Sequence, residues 1–203
     1  MKIPRTSHLK AEKRILNYIK GTVDHGLFYL QNCNIKLVGF NDSDWVERHE
    51  YLKGTTRIAF YLGDTAFTWL SNKQSIVSLS TCEGEYIAVC ARVCHVVWLR
   101  RLMEKMKLKQ EETTKIFIDN KLTIVLAKNP VHHERSKHID TRFHSIREYV
   151  KTTEVELHHV SSRDQIADIF TKSLKSDAFH HLKKKFDVQV RGEISLRKEI
   201  IRY

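Results

Sequence analysis

The sequence predicts an α/β protein in which an antiparallel sheet comes first and strand-helix units follow. Three observations carry that prediction. Runs of β-branched and aromatic residues, bounded by turn residues, recur between residues 26 and 70. Gly63-Asp64 joins two of these runs with the chemistry of a two-residue hairpin. Beyond residue 80, long helical patterns alternate with short apolar strands.

The elements follow in order. Residues 7–20 (SHLKAEKRILNYIK) place Leu9, Ile15, Leu16 and Ile19 near one face behind Ser7, which predicts a short amphipathic helix ended by Gly21. Strands are expected at 26–31, 35–41, 55–62 and 65–70. Ser80-x-x-Glu83 is a capping box, and only Arg92 and His95 interrupt the apolar run from Tyr86 to Leu99, so this central helix is expected to be buried almost all round. Lys115 to Ile118 is a short strand ending in Asp119-Asn120, and 121–128 is a helix stopped by Asn129-Pro130. A helix over 138–151, a strand over 155–160, a helix capped by Ser162 and Gln165 running to about Ser173, and one more helix in the tail complete the pattern.

Composition narrows the class. The chain has 203 residues, 41% of them hydrophobic, enough for one domain or one and a fraction with a true core. Lys and Arg number 35 against 24 Asp and Glu, a formal charge of +11 that overlies ordinary acidic content. A polyanion is the expected partner, nucleic acid before a membrane. No window approaches the ~18 consecutive apolar residues of a membrane helix, and residues 1–14 lack an apolar signal core, so neither a spanning nor a secreted protein is expected. Four Cys without a CxxC pair argue against a disulfide framework and suit a reducing compartment. With seven Gly and two Pro, the chain is neither linker-rich nor disordered.

Four carboxylates fall where burial costs most: Asp42 after an apolar strand, Glu85 in the first turns of the central helix, Asp119 after another strand, and Asp168 inside Ile166–Phe170. An unpaired carboxylate in apolar surroundings costs several kcal/mol unless it ligates a cation. In open α/β sheets the crevice beyond the strand ends is the usual site, so Asp42 and Asp119 meet there if their strands are neighbours. Oxygen ligands without a Cys/His set select Mg²⁺ or Mn²⁺, and two such ions form the clamp that hydrolyses phosphodiesters. Taken one at a time, Asp after a strand is an ordinary turn residue, and Glu near a helix start complements the dipole.

The strings GFNDSDW (39–45), SLSTCEGEYIAVCARVCHVVWLRRLM (78–103), IDNKLTIVLAKNPVHHERSKHIDTRFHSIRE (118–148) and VSSRDQIADIFTKSL (160–174) resemble the ribonuclease H domain that closes the Pol polyprotein of copia-type LTR retrotransposons. Residues 1–31 resemble the end of the preceding reverse transcriptase region. The resemblance implies an RNase H-like fold, a five-stranded mixed sheet flanked by helices, that cleaves the RNA strand of RNA:DNA hybrids with two Mg²⁺ ions, Mn²⁺ substituting. It implies a remnant at 1–31, an RNase H-like domain at 36–174 and a basic tail at 175–203. Asp42, Glu85, Asp119 and Asp168 match the family's four metal-binding acids; Asp44, Glu83 and Asp164 are their near neighbours. The partners implied are the hybrid and the reverse transcriptase portion of Pol. The location implied is a cytoplasmic particle, with Lys183–Lys185 as a nuclear address in the alternative.

Departures from the family pattern cluster at 46–57, where Glu47 and Arg57 replace glycines and Leu52 an arginine; Cys82 and Gly84 also depart from it. Arg48 is expected to set a positive charge beside Asp42 and compete with Mg²⁺ for it. Such drift suits a decayed or domesticated copy that binds nucleic acid without cutting, or an appendage that only stabilises the polymerase. All four acids persist, which favours the enzyme. Among 120–151 basic residues outnumber acidic ones, so Lys121, Lys128, Arg135, Lys137, His138 and Arg142 are expected to face phosphates. His132, His133, His138 and His144 fit no standard zinc spacing. Cys90, Cys94, Trp45, Trp69 and Trp98 are expected in the core, with Trp45 a possible cover for the site edge.

Overall fold

The computed structural model describes residues 5–27, 29, 35–44, 54–74, 77, 81–128, 149, 154–170 and 174–190. They divide between two compact units, one of residues 1–29 and 187–203, the other of 30–186.

The smaller unit holds helix α1 (Thr6–Gly21) and two short strands, β1 (His25–Leu27) and β7 (Val188–Val190), paired antiparallel. The helix starts behind Arg5 rather than Ser7, with the His8 ring accepting from the Arg5 N–H at 3.1 Å. Leu9, Ile15, Leu16 and Ile19 are all exposed on it. The strand expected over 26–31 is described only for 25–27.

The larger unit is built on five strands: β2 (Leu37–Asp44), β3 (Thr55–Leu62), β4 (Thr65–Lys73), β5 (Thr114–Ile118) and β6 (Val155–His159). They lie in the order β4-β3-β2-β5-β6. The first three are mutually antiparallel, while β5 runs parallel to both β2 and β6. Helix α2 (Thr81–Lys105) connects β4 to β5, and α3 (Lys121–Lys128) follows β5. This is the five-stranded mixed sheet flanked by helices that the resemblance implies. The β3-β4 hairpin turns at Gly63, which takes φ 61° as a two-residue turn demands, and its N–H donates to the Lys36 carbonyl at 2.9 Å.

Two layers cover the sheet. On one face Leu37, Ile58, Phe60, Ile116 and Ile118 pack with Tyr86, Val89, Val93 and Val96 of α2. Gly39 is required there, because a Cβ would stand 3.0 Å from the Phe60 ring. On the other face Phe40 stacks on Phe117 and meets Tyr61 edge-on. Phe170 and Phe186 extend that aromatic layer to Trp69.

Several expectations are corrected. The second strand does not stop before Asp42 but carries it, because pairing with β3 continues to Asp44. The central helix is not buried all round: Ala91, Cys94 and Trp98 form an exposed stripe at helical spacing, so Cys94 is not a core thiol. Arg92, read as a polar interruption, is itself buried, and that burial lowers its guanidinium to about 10. Trp98 and Trp69 are 56% and 47% exposed rather than core; Trp45 lies outside the described residues. Among the described residues, Ser162 does not begin an α-helix. The segment forms two 3₁₀ turns, Ser162–Asp164 and Ile166–Phe170, because Gln165 turns inward instead of capping. An α-helix comes only at Ser176–Lys185 (α4). Of the helix expected at 138–151, only Tyr149 is described, and it is helical. Among the described residues no helix is long and apolar enough to cross a membrane.

Candidate active site

Register brings the acids together. In the parallel ladder Asn41 is opposite Ile118, the last couple of β2 and β5, so Asp42 and Asp119 each stand one residue beyond it at the same end of the sheet. Glu85 enters from above on the first turns of α2. Asp168 lies buried on the second 3₁₀ turn, which packs against β2 and β3. Gln165, fully buried, donates from its amide to the Asn41 carbonyl at 2.9 Å and so ties the Asp168 segment to the peptide before Asp42.

The three gathered carboxylates are compensated differently. Glu85 is half-buried, and its Oε2 accepts from the Thr123 hydroxyl at 3.0 Å. Burial holds its carboxyl above the usual range, and the charges of Asp119 and Asp42 push the same way, against hydrogen bonds from Thr123 and Asn120. Asp119 is partly exposed and accepts from Ser162 Oγ at 3.4 Å, a long contact. Asp42 is 5% exposed and pairs with Arg57, directly opposite on β3, its Oδ2 3.1 Å from a guanidinium nitrogen.

Arg57 is 5% exposed as well, so the pair is desolvated on both sides. The sequence identified Arg57 as a departure but assigned the competing charge to Arg48, which lies outside the described residues. Strand alternation places the pair on the face of Phe40 and Tyr61, the face that carries the Asp168 turn.

The near neighbours separate from the four. Asp164 accepts from Ser161, His181 and Lys185 at 2.9, 3.0 and 2.5 Å, and these partners hold its carboxyl far below the usual range. It fastens α4 to the first 3₁₀ turn. The Asp44 and Glu83 side chains lie outside the described set.

Among the described residues, no group of three His, Cys, Asp or Glu side chains is arranged to hold a metal ion. Asp42 meets the Arg57 guanidinium through Oδ2. As placed, the described side chains do not form a preorganised cation site.

Lys121 and Lys128 are exposed at the two ends of α3. Arg135, Lys137, His138 and Arg142 lie outside the described residues, as do His132, His133 and His144. Sequence reasoning missed the supporting polar groups: Thr123, Ser162, Gln165 and Asn120. Asn120 was legible, since an Asn before a helix is an N-cap signal, and its Oδ1 accepts from the Leu122 and Thr123 amides at 2.8 and 3.3 Å. Arg57 had a signal too, as the one cation in the otherwise uncharged run Thr55–Leu62.

No family model matches the chain. It is 35% identical over 188 residues to a retrovirus-related Pol polyprotein from transposon RE1 of Arabidopsis thaliana, covering 93% of this chain and 13% of that protein. It is 34% identical over 181 residues to the one from transposon TNT 1-94 of Nicotiana tabacum, covering 89% of this chain and 14% of that protein. The chain thus spans a small fraction of the length of these relatives. Among solved structures, an N-terminal RNase H domain from Mycobacterium tuberculosis aligns with 74% of this chain and 97% of its own at TM-score 0.46 and 14% identity.

Proposed function

We propose that this chain, similar over 89–93% of its length to retrovirus-related Pol polyproteins of plant transposons, serves as the ribonuclease H module of a copia-type Pol polyprotein, an endonuclease directed at the RNA strand of RNA:DNA hybrids. The observation that carries this reading is the convergence of Asp42, Glu85 and Asp119 from three elements at one end of two parallel neighbours. The cofactor proposed is Mg²⁺, with Mn²⁺ as substitute, and Asp42, Glu85, Asp119 and Asp168 are the proposed catalytic acids.

Substrate backbone would be held by Lys121 and Lys128 on α3 together with Arg135, Lys137, His138 and Arg142, under the pull of a chain at +11. The 2′-hydroxyls would distinguish the RNA strand. Residues 1–31, read as the end of the reverse transcriptase region, make the polymerase portion of Pol the proposed protein partner, in a cytoplasmic particle.

A second reading has its own support. The Arg57–Asp42 pair suits a copy that holds hybrid without cutting it. Incubation of labelled RNA:DNA hybrid, duplex DNA and duplex RNA with Mg²⁺ or Mn²⁺ separates the two. Cleavage of the RNA strand of the hybrid alone supports the enzyme. Hybrid binding that weakens steeply between ~50 and ~200 mM salt, with no cleavage, supports the second reading. No binding at all removes both.

A further inference from the structure

We propose that Gln74 is a positioning residue of this site: its buried side-chain amide, at the end of a strand that carries none of the four acids, fixes where Glu85 enters. The inference rests on the nuclease-type reading of those acids and adds a residue that reading does not contain.

Gln74 directly follows the last residue of β4 and is 6% exposed. Its backbone N–H donates to the Gly54 carbonyl at 2.8 Å. Its side-chain Nε2 donates to the Thr56 hydroxyl oxygen at 3.0 Å and to the Gly84 carbonyl at 2.7 Å. These two bonds use both hydrogens of the amide nitrogen. They also fix its orientation, because a carbonyl only accepts and a flipped amide would set oxygen against oxygen at Gly84. Gly84 is the residue before Glu85 in the first turns of α2. A carbonyl has two lone pairs, so the helix ladder can use one while the amide takes the other.

Thr56 is the matching anchor. Strand alternation sets it on the face of Ile58 and Phe60, which α2 covers, while Arg57 lies on the other. Gln74 therefore clamps the start of β3 to the first turns of α2, on the side of the sheet from which Glu85 comes. Thr123 meets the Glu85 carboxylate itself; Gln74 meets the backbone that carries it. The clamp is stiff, since a buried amide that leaves its acceptor strands two desolvated groups at once. On the opposite face Gln165 does the same for the turn of Asp168, donating to the Asn41 carbonyl at 2.9 Å. One buried glutamine thus serves each face.

The experiment records the side-chain carboxyl carbon signals of Glu85 and Asp168 by NMR, at one fixed pH, in the full chain as wild type, Gln74→Met and Gln165→Met. Methionine keeps the unbranched length of glutamine and removes the donor. Gln74→Met should move the Glu85 signal and leave that of Asp168, and Gln165→Met should do the reverse. An unmoved Glu85 signal in folded Gln74→Met, or equal movement of both signals in either variant, overturns the proposal. If Gln74→Met does not fold, Thr56→Val, which removes one anchor of the amide, takes its place with the same outcomes. Kinetics on hybrid give a second reading. Gln74→Met should lower kcat by ~10²-fold at unchanged KM, the loss that a misplacement of about 1 Å brings. A raised KM at unchanged kcat overturns the proposal, because Gln74 would then serve substrate binding. A wild type that cleaves no hybrid removes the nuclease-type reading instead, and the carboxyl signals still decide what holds Glu85.

Discussion

The two flanks of β2 solve one problem in opposite ways. Toward β3, Asp42 is almost wholly buried and meets a guanidinium 3.1 Å away. Toward α2 and β5, Glu85 is only half-buried, meets a hydroxyl at 3.0 Å, and still has its proton affinity raised. The deeper carboxylate has a buried cation as its partner, and the shallower one a neutral hydroxyl. A neutral donor satisfies a lone pair without cancelling the field of a second carboxylate, and a buried cation does both.

The contrast can be tested in order of the expected change in stability. Replacing Arg57 with Met strands Asp42 in the interior and should cost about 3–5 kcal/mol in urea unfolding, of which Arg57→Met/Asp42→Leu recovers most. A cost near that of a surface substitution would mean that Asp42 reaches water, and the contrast between flanks would vanish. Replacing Thr123 with Val keeps the shape of a fully buried side chain but removes the donor to Glu85, and should cost about 1–2 kcal/mol. The same change should raise the Glu85 carboxyl further, which carbon-detected NMR titration of its side chain would show.

Asp119→Asn should act in the other direction. It removes a charge that repels Glu85, so the thermal midpoint should hold or rise, by under ~1 kcal/mol in stability, while any hydrolysis of hybrid falls to background. A collapsed fold would make Asp119 structural, and undiminished cleavage would remove it from the proposed acids. The smallest effect is with pH. Glu85 binds its proton more tightly folded than unfolded, so its contribution is full below the ordinary 4.5 and is lost as pH rises through the higher folded value. Glu85→Gln should flatten that part of the stability curve; an unchanged slope would assign it to other groups.

Much of this was legible in the sequence, and the limits have physical causes. The hairpin at 55–70, the strand at 114–118 and its following helix were marked by short-range chemistry, namely Gly63-Asp64, an apolar run and Asn129-Pro130. Asp42, Glu85 and Asp119 stood out because apolar surroundings make a carboxylate conspicuous. Which partner each acid takes was not legible, since the register between β2 and β3 cannot be read from either strand alone. The cation was therefore assigned to Arg48, near in sequence, rather than to Arg57, near in space. Helical periodicity likewise could not tell that Trp98 faces out while Arg92 faces in, because both lie on a helix whose mean burial is high. At Ser162 a capping-box spelling was outweighed by one buried amide on a distant strand.

That amide also sets a clock. The Gln165 contact with the Asn41 carbonyl joins positions 124 apart, and closing so long a loop belongs late in folding, after the local hairpin and the helices have formed. A chain emerging from synthesis as far as β5 already holds Asp42, Glu85 and Asp119, yet it lacks both the amide that fixes the peptide before Asp42 and the turn that carries Asp168. Only once β6 has docked beside β5 can the 3₁₀ segment swing over β2 and complete the set. For most of its synthesis the polypeptide is therefore a sheet without its full complement of acids, and the site is among the last parts of the molecule to come into being.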